Sequence, residues 1–255
     1  MPYIQPNNHI QFILRPATNI VKEAIWSLNA TSGGIETYPI SEYLLHSLFL
    51  KLTGAQEQKL KCICWELACR DYEYRYTRYE KKPYSECSDY NDKCMVYVDL
   101  LEAITKLDDS FEISDDFKDE IISEWRTSIQ KLFSKSLLAY NFPKLYKECM
   151  VIITSIKKNW IMGTSQLLIK KENIPAAERS NTCSLSLNDL FVKYVYVERN
   201  RLAHNTRSYQ HNLPSLKEMK SDKYIFQNYF ILMAIIVLID LIFTSLFKIY
   251  LDKLK

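Results

Sequence analysis

The stretch Tyr194-Val-Tyr-Val-Glu-Arg-Asn-Arg-Leu-Ala-His-Asn-Thr-Arg-Ser-Tyr-Gln210 holds the residues best suited to chemistry. Charged and polar side chains arrive abruptly at the end of an apolar helical pattern. Asn200, His204, Arg207 and His211 are spaced i, i+4, i+7 and i+11, so they share one face of any helix that runs that far. Arg199 stands five residues before His204, about 140° away around an ideal helix. A helix end, the long arginine stem or a second copy of the chain would let the two converge. Arginine offers a rigid fork of donors matched to phosphate oxygens. Histidine is the side chain best suited to moving protons near neutral pH. Asparagine donates and accepts, so it can position either group. A phosphodiester in RNA carries its own nucleophile, the 2′-OH. Its cleavage then needs a proton acceptor, a proton donor and charge stabilisation, and no metal. The plainer alternative is a cluster of salt bridges at a helix end, with Glu198 paired to Arg201 at i+3 and His204 capping carbonyls.

The elements that must position these residues read as helices. The chain has 255 residues, 47% hydrophobic and 25% charged, with 11 Phe, 18 Tyr and 4 Trp, enough to build a core. It has 4 Gly, too few for many tight hairpins, which use Gly at positive φ. The net charge of +3 argues against a coat for duplex nucleic acid, though a local basic site is allowed. The periodicity predicts helices near 17–29, from Ser41 to a stop at Gly54, over about 56–80, over 93–107, and from a Ser114 cap to about Tyr140. Further helices are expected over Leu145–Met162, from a capping-box start at Ser186, and from Asp222 to Leu254. The acidic run Asp108–Asp116 is read as a boundary. The expected architecture is all-α: residues 1–110 form an N-terminal helical region packed on a C-terminal antiparallel four-helix bundle, residues 111–255.

Tyr229–Phe247 is apolar over a length that can cross a bilayer. A tail-anchored membrane protein is therefore an alternative. Asp240 near its centre opposes that reading, because an ionised group there costs roughly 2.5–3.5 kcal/mol. Lysines on both flanks signal no orientation. The start of the chain has neither a basic region nor a cleavage site, and the odd count of 7 Cys suggests reduced thiols, so a cytoplasmic location is expected.

Other signals are weaker. Arg70–Lys82 interleaves tyrosines with cations, as in grips on single strands, but Tyr72, Tyr76 and Tyr79 also continue a core stripe begun at Cys62, with Arg75 and Arg78 on a solvated face. The cysteine spacings do not match structural zinc, Cys62 and Cys69 fall on the apolar face, and no metal or cofactor is expected. His46 lies in a Leu-rich helix and reads as core or rim.

Arg199-Asn-Arg-Leu-Ala-His204 resembles the R-x4–6-H motif of the HEPN superfamily in its R-N-x-x-x-H form. The setting is similar as well: a late helix of an all-α bundle, a polar turn and a hydrophobic last helix. The resemblance covers about 115–255 and identifies no subfamily. It implies a metal-independent endoribonuclease of toxin–antitoxin or phage-defence type, a homodimer with a composite site, and products ending in a 2′,3′-cyclic phosphate and a 5′-OH. It implies His204 as general acid or base, Arg199 as stabiliser of the phosphorane charge and Asn200 as their orienting group. Arg207, Arg201 and His211 are added here as substrate contacts. RNA is the expected substrate, and a neutralising or regulatory protein is a further expected partner. A catalytically silent HEPN-like RNA-binding or regulatory subunit is the other reading that the resemblance allows.

Overall fold

Polar side chains set where many of the helices begin. The computed structural model describes residues 8–30, 38–81, 87–179, 185–204 and 226–255, and these contain helices and loops but no strand. Helix α1 spans Asn8–Leu14, α2 Thr18–Asn29 and α3 Tyr38–Ala68. Asp71 accepts from the Tyr74 N–H and opens α4, Tyr72–Tyr76, which runs on as a π-helical turn over Thr77–Lys81. Asp89 caps α5, Tyr90–Leu107, and Ser114 caps α6, Asp115–Phe133. Short α7, Leu137–Asn141, precedes α8, Pro143–Ser155, whose first residue is a proline that needs no partner for an N–H. Ser186 and Asp189 form a reciprocal capping box before α9, Leu187–Leu190. A π-helical stretch, Phe191–Tyr196, links α9 to α10, Val197–Ala203. Asn228 caps the last helix, α11, Tyr229–Lys253.

The core forms around α11. This helix is apolar on all sides, and 89% of its most apolar 18-residue window is buried in the protein. Helices α1, α3, α5, α6 and α8 pack against it. Trp125 of α6 is fully buried and donates its indole N–H to the Ala234 carbonyl at 2.8 Å. Gln56 of α3 donates to the Ile236 carbonyl at 3.1 Å, and the rings of Tyr97 and Phe243 meet edge-on. Asp240 is buried in this core with a partner. Its Oδ1 lies 2.6 Å from the Lys59 ammonium, and its Oδ2 accepts from the Ala17 N–H at 2.8 Å. Lys59 also donates to the Arg15 carbonyl. One pair of charges thus ties α3 and α11 to the α1–α2 connection. A single hydrophobic core takes side chains from both sides of residue 110, so the two regions expected from the sequence share it.

Several boundaries differ from the sequence expectation. Gly54 does not end a helix; α3 passes straight through it. The residues around it explain why: Leu52, Gln56 and Leu60 are buried, and their packing outweighs the roughly 1 kcal/mol that a mid-helix glycine costs. A Cβ at Gly54 would meet nothing within 4 Å. Gly54→Ala is therefore expected to stabilise the fold by about 0.5–1 kcal/mol in urea unfolding, and a loss of stability would contradict a helical, open position 54.

The helix expected over 56–80 stops at Ala68 and restarts at the Asp71 cap. Beyond that break Tyr72 and Tyr76 are exposed (79% and 48%) and Arg78 is buried, against the expected stripe, while Arg75 is exposed as expected and Tyr79 is partly buried against Trp65. Cys69 is exposed, while Cys62, Cys64, Cys87 and Cys149 are buried. The helix from Ser114 ends at Phe133 rather than Tyr140, and the next ends at Ser155, with Ile161, Leu167 and Leu168 buried in the turns that follow. The hydroxyls of Tyr90 and Tyr97 hold those turns through the carbonyls of Leu167 and Gly163. The last helix begins at Tyr229, and residues 222–225 lie outside the described residues.

Candidate functional site

The segment carrying Arg199 is built as one helical run from the Ser186 cap to His204. Its π-helical stretch holds one extra residue per turn, which rotates α10 relative to the face set by buried Leu187, Leu190 and Phe191. Arg199 thereby meets α3. Its Nε donates to Glu57 Oε1 at 3.1 Å and its Nη2 to Glu57 Oε2 at 3.0 Å. Its Nη1 donates to Asn200 Oδ1 at 3.1 Å. The pair is largely shielded, with side-chain exposures of 23% for Arg199 and 12% for Glu57. Two-point pairing of this kind fixes the plane of the guanidinium as well as its position.

His204 is exposed and sits at the C-terminal cap of α10, where its backbone N–H donates to the Asn200 carbonyl at 3.0 Å. The structure thus joins Arg199 to Asn200 directly. It places His204 one turn beyond Asn200 at the open end of the same helix. Arg199 spends its observed hydrogen bonds on Glu57 and Asn200, not on His204. Arg201 pairs with Glu198 at 3.3 Å, as the plainer sequence reading anticipated, and the Tyr229 hydroxyl also donates to Glu198. Tyr229 in turn lies against His46, whose ring centroid is 5.5 Å away, which puts His46 on the rim. The helix ends at Ala203, and Arg207 and His211 lie outside the described residues.

Behind Glu57 lies a second cation. Lys93 of α5 is buried, donates to the Cys87 carbonyl at 2.6 Å, and stands 5.6 Å from the centroid of the Phe191 ring. Burial pulls its ammonium down from the ordinary 10.5 to about 8, against the field of Glu57, Cys87, Asp92 and Asp89. The sign for stability follows directly. Above about pH 8 the unfolded chain keeps a proton that the folded one has released, so stability gains with pH. Two buried thiols act oppositely above their ordinary 9: burial pushes Cys64 up to about 11 and Cys149 up to about 12. The window between about pH 8 and pH 9 therefore belongs to Lys93. Over it the wild type is expected to gain about 1 kcal/mol relative to Lys93→Met in urea unfolding. Parallel curves for the two proteins would mean that Lys93 is not buried in this way.

Glu57 is the residue of this site that the sequence did not single out. It is 142 positions from Arg199, and its one local signal is the polar run Gln56-Glu57-Gln58 inside an apolar helix. Among the described residues no group of three His, Cys, Asp or Glu gathers to hold a metal ion. Comparison with known family profiles, curated proteins and solved structures returns no match for this chain.

Proposed function

We propose that this chain is a metal-independent endoribonuclease of HEPN type, cutting RNA by attack of the 2′-OH and working as a cytoplasmic homodimer in a toxin or phage-defence role. The observation that carries the reading is the state of the motif at the end of α10. Arg199 is locked in a two-point pair and bonded to Asn200, while the His204 imidazole stays exposed at the helix end. In the proposed reaction one His204 accepts the 2′-OH proton and a proton returns to the 5′-oxygen as the P–O bond breaks. The guanidinium offsets the charge on the pentacoordinate phosphorus. A two-fold axis beside α10 would bring two such sets together and concentrate positive charge on a chain that is only +3 overall.

One observation favours the silent RNA-binding or regulatory reading: the carboxylate of Glu57 already occupies one edge of the Arg199 fork. The tail-anchor reading has less support, because the apolar window of α11 is mostly buried and Asp240 has Lys59 as its partner. The test is to purify the full chain without detergent and incubate it with single-stranded RNA in EDTA. The nuclease reading expects products ending in a 2′,3′-cyclic phosphate. Binding without cutting would favour the regulator, and a need for detergent would favour the anchor.

A further inference from the structure

We propose that Glu57 is the positioning residue of this site: its buried carboxylate holds the Nε–Nη2 edge of Arg199 so that the remaining donors face an incoming phosphodiester. The inference rests on the nuclease reading and adds a residue from the other end of the chain to it. Three observations support it.

The first is geometric. A guanidinium has five N–H groups. Glu57 takes one on Nε and one on Nη2, and Asn200 takes one on Nη1. One N–H on each terminal nitrogen is left without a partner among the described residues. The one on Nη2 necessarily points away from Glu57, because its twin is committed to the carboxylate. A phosphate oxygen approaching that edge meets a donor whose direction is already set, and such fixed donors are what transition-state stabilisation requires.

The second is where Glu57 stands. It projects from α3, which packs on α10, on α5 and on the central helix α11. Its neighbours Gln56 and Lys59 are anchored to α11 at the Ile236 carbonyl and at Asp240. The carboxylate is thus mounted on a helix tied to the buried core, and a side chain near a helix end gains from such a mount.

The third is charge. A lone carboxylate beside Arg199 would leave a neutral pair with little attraction for an anion. The buried ammonium of Lys93 acts on Glu57 from α5. The charge of the carboxylate is thus shared between Lys93 and Arg199, with Asp92 and Asp89 also acting on Lys93, and the arginine keeps part of its pull on a phosphate. The same pair also admits the opposite role, in which Glu57 competes with phosphate for the fork, and the two roles predict opposite outcomes.

The test uses the full chain as wild type, Glu57→Gln, Arg199→Ala and the double variant. Three quantities are read: the 15N–1H signal of Arg199 Nε, the affinity for a non-cleavable 2′-O-methyl RNA oligonucleotide, and the single-turnover rate on the cleavable RNA in EDTA. The expected result is a protected Arg199 Nε–H in the wild type that is lost in Glu57→Gln. The rate of Glu57→Gln falls about 10- to 100-fold, and affinity changes by less than about threefold. In the Arg199→Ala background Glu57→Gln causes no further loss of the residual rate, because a positioning residue acts through what it positions. A rise in rate or affinity on Glu57→Gln overturns the proposal in favour of competition. An equal loss in both backgrounds overturns it in favour of a general packing role. Cleavage by a wild type with no protected Arg199 signal overturns the positioning role and leaves the nuclease reading standing. A protected signal in a protein that neither binds nor cuts RNA overturns both.

Discussion

Asp240→Ala is expected to remove about 3–5 kcal/mol of folding stability, enough to unfold many domains of this size at body temperature. The reason lies in what the substitution strands. Lys59 and Asp240 are 7% and 5% exposed, and their 2.6 Å contact is the centre of a network that includes the Ala17 N–H and the Arg15 carbonyl. Taking the carboxylate away leaves an ammonium ion buried against apolar α11 and leaves the Ala17 N–H without its acceptor. Burial already pushes the Asp240 carboxyl above the ordinary carboxylate range, with Lys59 and the Ala17 N–H pulling the other way, so each partner is tolerated here because of the other. The contrast is with Lys59→Met combined with Asp240→Leu, which removes both charges. That double variant is expected to recover most of the loss, as apolar replacements of buried pairs often do. Chemical denaturation of the two proteins decides it: a single variant within about 1 kcal/mol of wild type would mean that the pair is hydrated and not buried.

His204→Ala is expected to lower the single-turnover cleavage rate about 10²- to 10⁴-fold, the usual weight of a group that transfers a proton in the transition state. Two features make the comparison clean. The side chain is exposed at the end of α10, so its removal should change stability by less than about 0.5 kcal/mol. The Glu57–Arg199–Asn200 contacts do not involve it, so affinity for a 2′-O-methyl oligonucleotide should stay within a few-fold of wild type. Loss of rate with affinity and fold intact assigns His204 to the chemical step. An unchanged rate would remove it from the mechanism, and with it the nuclease reading of the motif.

Helix starts were legible at two of the caps read before an apolar repeat, while Ser41, read the same way, falls inside α3. Ser114 and Ser186 mark the starts of α6 and α9, and both caps are made in the structure. The helix over 17–29 lies where the repeat of Val21 and Ile25 places it. Stops were less legible. Gly54 carries a local stop signal that packing of its neighbours overrides, and the break after Ala68 comes from the Asp71 cap competing with a repeat that would have run on. Trp65 and Cys69 are exposed as well as Tyr72 and Tyr76, so the face marked by that repeat turns outward beyond Cys62.

The chain's own order of residues determined that it is helical, that its last helix is apolar all round, and that Arg199, Asn200 and His204 fall at the polar end of an apolar helical pattern, because these depend on propensity, periodicity and short spacing. Only the tertiary structure decided what faces them. Glu57 reaches Arg199 across 142 positions, and Lys59 reaches Asp240 across 181. Local sequence marks Glu57 and Asp240 as charges inside helices but does not say which residue pairs with them, since the partner of a buried charge comes from a distant helix.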